Sequence, residues 1–174
     1  MKVRQAGPAD AAVLSEVASA TFALACPPHT TQQAIDDFIA KTFTVVKFDE
    51  YLADPARVLF VAVDDEVTIG YAMLVLGEPA DADVVAAISL HPTAELSKLY
   101  VRPGHHGAGV SAQLVAECIG AATAAGCAGM WLGVNEENAR ANRFYEKNGF
   151  VRVGTKHFMV GDRLEDDFVR ERPL

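Results

Sequence analysis

Two stretches of the chain combine residue types and spacings that could do chemistry. The first is HHGAGVS, residues 105–111. It follows the apolar run Leu99, Tyr100, Val101 and leads into Val110, Leu114, Val115, Cys118, Ile119 and Ala122, an apolar stripe at helical spacing that ends near Gly126. A strand passing through Gly107 and Gly109 into a helix gathers free backbone N–H groups at one point. The helix N-terminus adds a partial positive charge, so His106, Gly107, Ala108, Gly109, Val110 and Ser111 are candidates to hold a phosphate or pyrophosphate. Glycine lets the anion approach the backbone closely. The stretch is not a P-loop, because no Gly-Lys-Ser/Thr follows, nor a clean dinucleotide fingerprint, because the third glycine and the ribose-binding acid are missing. On its own, it also fits a plain glycine turn between strand and helix.

The second stretch, WLGVNEENARANRFYEKNGF at residues 131–150, reads as strand, turn, helix, glycine cap and strand. Asn138 and Tyr145 are about two helical turns apart and share a face. Ala141 between them leaves room for something slender to pass. Arg140, Arg143 and Lys147 fall elsewhere on this helix and read as a solvated charged face.

These residues carry a resemblance to the GNAT superfamily of N-acetyltransferases. It covers nearly the whole chain and is most specific from Glu95 to Phe150. The superfamily's acetyl-CoA motif, Q/R-x-x-G-x-G/A, falls on HGAGVS with His106, Gly109 and Ser111 at its defining positions; histidine replaces Gln/Arg and serine replaces Gly/Ala. A backbone cradle does not depend on those two side chains. The later pattern N-x-x-A-x-x-x-Y-E-x-x-G-F matches Asn138, Ala141, Tyr145, Glu146, Gly149 and Phe150 without a gap. Within the superfamily, ATFALA, ELSKLYV, WLGV and FMVGDRLEDDFV are similar to the branch of bacterial spermidine/spermine N-acetyltransferases, although Asn135 stands where that branch often has Trp.

The resemblance implies acetyl-CoA as co-substrate and direct transfer of its acetyl group to a primary amine. Such an amine is mostly protonated at neutral pH, so a base is required. Glu95, eleven residues before His106, is the candidate, an offset at which several relatives carry a catalytic Glu. Tyr145 would protonate the departing thiolate. A backbone N–H of the Leu99-Tyr100-Val101 strand, from Leu99 or Val101, would hold the thioester oxygen where the resemblance implies the strand splays open. No Cys or Ser has a base at readable spacing, so no covalent acyl-enzyme is implied. Phe22 and Tyr51, with the acids Asp36, Asp37, Asp49 and Glu50, could line an amine site suited to a polyamine's ammonium groups. A polyamine-like small molecule is thus the first acceptor expected. The alternatives are a peptide or protein N-acetyltransferase of the same fold and a non-catalytic acyl-CoA-binding regulator.

The elements that must position these residues follow from patterning. VRQA is a short strand, and Pro8 and Asp10 open a helix with Val13, Leu14 and Val17. Thr30 or Thr31 caps a second helix through Ile35, Phe38 and Ile39, and FDEYLADP is a short helix stopped before Pro55. VLFVAVDDEVTIGYAMLVLG is a β-hairpin around an Asp-Asp-Glu turn. Residues 78–93 form a long connection, a class of segment often functional or mobile. A strand, a helix, the MWLGV strand and a helix near 136–148 follow, and a strand pair about a Gly-Asp turn closes the chain. The order predicts one α/β domain over 1–174 with a mixed, largely antiparallel sheet flanked by helices, the fold the resemblance also implies.

Composition sets the outer limits. At 174 residues and 51% hydrophobic, the chain can bury a full core. A net charge of −8 argues against nucleic acid as partner and is compatible with a cationic substrate. No signal-peptide h-region and no membrane-length apolar run is seen, and Cys26, Cys118 and Cys127 read as reduced thiols, so a cytoplasmic protein is expected. Cys118 reads as a small core residue. His29, His91 and His157 show no ligand pattern, so no metal is expected. An exposed C-terminal strand would offer an edge to a second copy of the chain.

Overall fold

A computed structural model describes residues 1–174. Seven strands form one sheet. β1 (Lys2–Gln5) pairs with β2 (Arg57–Asp64), which forms a hairpin with β3 (Val67–Leu76). Between β1 and β2 lie α1 (Ala11–Thr21), α2 (Gln32–Thr42) and α3 (Val45–Ala53). Thr31 and Thr44 cap α2 and α3, their hydroxyls accepting from the N–H groups of Ala34 and Lys47. The β2–β3 turn places Asp65 and Glu66 both at positive φ, which matches the right-handed twist of the flanking strands.

β2 and β3 read as continuous apolar runs because helices cover both faces of the sheet. Leu59 and Val61 point to one face and pack with Leu14, Val17, Phe43 and Phe48 from the N-terminal helices. Phe60 and Ala62 point to the other and meet Leu114, Val115 and Cys118 of α5 (Val110–Ala124). Cys118 is a core residue, as expected, and the three thiols are free.

β4 (Thr93–Val101) runs antiparallel to β3 and parallel to β5 (Gly129–Asn135), with α5 as the crossover. α6 (Ala139–Lys147) then leads to β6 (Val151–Val160) and β7 (Arg163–Pro173), which turn about Gly161. The result is the expected α/β domain with a mixed, largely antiparallel sheet flanked by helices.

Two expectations are corrected. The C-terminal strand is not the edge: β7 inserts between β5 and β6, so β6 and β1 are the edge strands. The 78–93 connection is not a free loop. It contains α4 (Ala82–Ala87), capped by Asp81, whose carboxylate accepts from the N–H groups of Asp83 and Val84. Val84 and Ile88 pack on Trp131 and Val169, and the buried Glu171 carboxylate accepts from the backbone of Ser89 and Leu90. The segment covers the outer part of the sheet, away from the site described next. Alternating polarity gave no warning of this, because the anchor is a carboxylate more than eighty residues downstream.

Candidate active site

The site begins where the sheet fails. The β4–β5 ladder has three rungs, Thr93–Gly129, Ala94–Met130 and Glu95–Trp131. From Leu96 onward β4 stays paired with β3, while β5 stays paired with β7 to its end. The two strands therefore part after Glu95, and a cavity of about 730 Å³ fills the opening. Arg102 N–H bonds Ile69 O of β3. Alternate residues of a strand direct their N–H groups to opposite edges, so Leu99 and Val101 present theirs to the open side.

At one end of the cavity lies the glycine turn. Gly104, Gly107 and Gly109 have φ of 87°, 89° and 77°, the left-handed region that side chains disfavour, and Gly109 is the N-cap of α5. No backbone N–H from His106 to Ala112 has a partner within the chain; the first to bond is that of Gln113, to Gly109 O. This row of orphan donors at a helix N-terminus fits a pyrophosphate group. Arg140, on the first turn of α6, also lines the cavity and shares the neighbourhood of His106. Burial, then Arg140 and His105, hold the His106 imidazole below its ordinary pKa, which favours the neutral ring.

α6 forms the opposite wall. Asn138 caps it, its Oδ1 accepting from Ala141 N–H at 3.1 Å. The helix is locked to the sheet by Asn142, whose amide donates to Asn135 O and Asn138 O and accepts from Arg170 Nε at 3.0 Å. Arg170 in turn donates to Phe150 O. This network directs Asn138, Ala141 and Tyr145 into the cavity. Tyr145 packs edge-on against Phe144 and Phe150, and its hydroxyl bonds no protein group. Burial raises its pKa well above the ordinary phenol value, so it stays protonated.

The other end of the cavity mixes charge with aromatic rings. Glu95 is half-buried, and burial raises its carboxyl against the opposing pull of Lys156, Lys98 and Arg57. Asp167 of β7 sits directly opposite Lys156 of β6, and burial lifts it to about 6. Burial lowers Lys98 to about 8. Phe22 and Phe38 stack with ring centroids 4.5 Å apart, and Phe38 meets Phe43 and Phe158 edge-on.

The cavity thus brings together Glu95, Tyr145, Leu99, Tyr100, Val101, His106, Gly107, Gly109, Val110, Ser111, Asn138 and Ala141. Ala108 lies on the same turn between two lining glycines. Sequence reasoning missed Lys98, Lys156, Asp167 and Arg140. Arg140 is exposed, as expected of a solvated face, like Arg143 and Lys147, but unlike them it also borders the cavity. Conversely, Asp36, Asp37, Asp49 and Glu50 are exposed and lie outside the cavity. The first two accept from Gln32 and Gln33, and Glu50 pairs with Lys47. Tyr51 lies behind the site, its hydroxyl donating to Thr42 O. Phe22 does line the cavity. His29, for which the sequence suggested no partner, bonds Glu165 and lies 3.7 Å from Glu137. It ties the segment before α2 to β7.

Comparison with known proteins defines the family of the chain. The acetyltransferase (GNAT) family model matches residues 20–150, and the chain belongs to that family. It is 42% identical over 165 residues to an uncharacterized N-acetyltransferase of Mycobacterium tuberculosis, covering 95% of this chain and 98% of the relative. It is 26% identical over 176 residues to an uncharacterized N-acetyltransferase of Lactobacillus delbrueckii subsp. lactis, covering 100% of this chain and 98% of the relative. Among solved structures, the fold is similar to that of a PaiA N-acetyltransferase from Thermoplasma acidophilum in complex with coenzyme A. The TM-score is 0.79 at 21% identity, covering 99% and 98% of the two chains. No helix is long and apolar enough to cross a membrane.

Proposed function

We propose that the protein is an acetyl-CoA-dependent N-acetyltransferase that acts on a small-molecule primary amine by direct attack. The observation that carries this reading is the opening of the sheet after Glu95. It places a carboxylate, free strand N–H groups, a phenol and a phosphate cradle around one cavity. Solved relatives of the same fold hold coenzyme A or acetyl-CoA.

Acetyl-CoA supplies the acetyl group as a thioester. The orphan N–H groups from His106 to Ala112 hold its pyrophosphate, with Arg140 beside them. Leu99 or Val101 N–H donates to the thioester oxygen and stabilises the charge that develops there. Glu95 accepts a proton from the acceptor ammonium, directly or through water. The amine nitrogen forms a bond to the carbonyl carbon, and the carbon–sulfur bond breaks. Tyr145 donates its proton to the sulfur and is restored by the proton the nitrogen loses. The products are the N-acetyl amine, free CoA thiol and one proton from Glu95. The raised Glu95 carboxyl suits this work, because a base whose pKa lies nearer the working pH binds the proton more readily.

A polyamine was the first acceptor expected, but the acids of α2 and α3 do not reach the cavity, whose own acids are Glu95 and Asp167. The aromatic cluster and two lysines favour a different amine. An acylation assay that follows CoA thiol across polyamines, amino acids and short peptides tests the reading. Amine-dependent release is expected. Tight acetyl-CoA binding with no release from any acceptor would point to a regulatory binder.

A further inference from the structure

The acceptor end of the cavity holds two ammonium groups with no ion-pair partner. Lys98 Nζ lies over the rings of Phe43 and Tyr51, at 5.4 Å and 5.6 Å from their centroids. Lys156 Nζ lies 5.5 Å from the Phe158 centroid. Neither ammonium is in a salt bridge or hydrogen bond with a protein group; of the six lysines only Lys47 is so paired, but Lys98 and Lys156 are the two that line the cavity. Both side chains are half-buried and line the cavity. A partly buried, unpaired ammonium is costly to maintain. Its depressed pKa, seen at Lys98, reflects that cost.

The acceptor end also balances its charges, in a chain whose net charge is −8. The cavity wall carries Lys98, Arg140 and Lys156 against Glu95 and Asp167. With Arg140 at the phosphate cradle, the acceptor end holds two cations and two acids. Phe38 lies between the two lysine-bearing rings, meeting Phe43 and Phe158 each at 5.7 Å. At Gly133, an added Cβ would lie 3.3 Å from Asp167 Oδ2 and 3.7 Å from Lys156 Nζ. The glycine leaves both the Asp167 carboxylate and the Lys156 ammonium open to the cavity.

We propose that the acceptor is an apolar α-amino acid: its amine sits at Glu95 and Asp167, its carboxylate meets the Lys98 and Lys156 ammonium groups, and its side chain packs on Phe22, Phe38, Phe43 and Phe158. This names the substrate class of the acetyl-transfer site and rests on that reading. A polyamine brings no anion for the lysines. A peptide N-terminus brings the amine without an adjacent carboxylate.

The test reads binding before turnover, so that it can fail separately from the acetyltransferase reading. L-phenylalanine, L-leucine, phenethylamine, L-phenylalaninamide and spermidine are titrated calorimetrically into the protein saturated with CoA. L-phenylalanine is expected to bind about 10- to 100-fold more tightly than phenethylamine or L-phenylalaninamide, its two analogues without the carboxylate, the range for one charge-assisted contact, and spermidine to bind more weakly than either amino acid. Lys98→Gln and Lys156→Gln, each checked for an unchanged circular dichroism spectrum, are expected to reduce the phenylalanine-over-phenethylamine ratio in at least one case. With acetyl-CoA, the same change appears in the amino acid's KM. Equal binding of phenylalanine and phenethylamine, preference for spermidine, no amino acid binding, or an unchanged ratio in both variants would overturn the proposal. Selective amino acid binding without CoA release would leave the subsite standing and count against turnover.

Discussion

Glu95 and Trp131 form the last rung between β4 and β5, and the candidate chemistry lies immediately beyond it. Because the ladder stops there, the next strand residues keep N–H groups free for a ligand, and the carboxylate stands at the apex of the opening. Replacing Glu95 by Gln removes the proposed base while keeping the side chain's shape. Amine-dependent kcat/KM is expected to fall about 100-fold or more, and Tyr145→Phe about 10- to 100-fold. Steady-state assays following CoA thiol check both, with thermal melting to confirm that the fold is retained.

Asp167 predicts a trade between stability and function. Its folded pKa of about 6 lies above the ordinary value of 3.8. The folded state therefore binds a proton more tightly than the unfolded state does, and stability falls as pH rises through this interval. Above it the ionised, buried carboxylate opposes folding. Asp167→Asn is expected to stabilise the protein by about 1–3 kcal/mol at pH 7, a gain that shrinks towards zero near pH 4. Melting curves at the two pH values measure this.

The same groups set the pH profile. Glu95 must be ionised to accept a proton, and its raised pKa moves the acidic limb of kcat/KM above the range of an ordinary carboxylate. Lys98, at about 8, loses its charge above that pH. The KM for a carboxylate-bearing acceptor is expected to rise from pH 8 to 9. For an acceptor without a carboxylate the lysine's contribution to that rise is absent.

The glycine turn at the head of α5 was legible in the sequence, because glycine at 107 and 109 is a local signal of left-handed backbone. So was the shared face of Asn138, Ala141 and Tyr145, which needs only helical periodicity. What was not legible depends on register and facing. Lys156 and Asp167 meet because β6 and β7 pair with that alignment, and β7 lies inside the sheet although it ends the chain. Neither fact is written in a period-two pattern. The acids of α2 and α3 show the converse. Their spacing fitted an amine site, but the apolar stripe of each helix turns them to solvent. Arg140 is exposed, as its position suggests, but its place at the cavity was not legible, since a charge on a short helix does not reveal which wall the helix forms.

Arg140 and the cradle predict how the cofactor binds. Arg140→Ala is expected to weaken acetyl-CoA binding about 10-fold or more, with a reduced dependence on salt. Gly109→Ala meets no steric obstacle but forces a Cβ onto φ of 77°. It is expected to cost about 1–2 kcal/mol of stability and to weaken binding by distorting the turn. Isothermal titration with acetyl-CoA and CoA separates the two effects.

Asn142 predicts a positioning role. Its Oδ1 accepts from the buried Arg170 guanidinium, so Asn142→Ala leaves a charged donor without that partner. A loss of about 2–3 kcal/mol is expected. If the network orients α6, the residual folded enzyme shows a lower kcat with little change in the acceptor's KM. Chemical denaturation and steady-state kinetics report the two parts.

The central claim is that the opening between β4 and β5 is an acetyl-transfer site served by Glu95. Its most direct test is the rate of CoA thiol release from acetyl-CoA as a function of amine concentration, measured for the parent protein and Glu95→Gln side by side. The account predicts saturable, amine-dependent release in the parent and a loss of about 100-fold in the variant. Saturable release that Glu95→Gln leaves unchanged would contradict it.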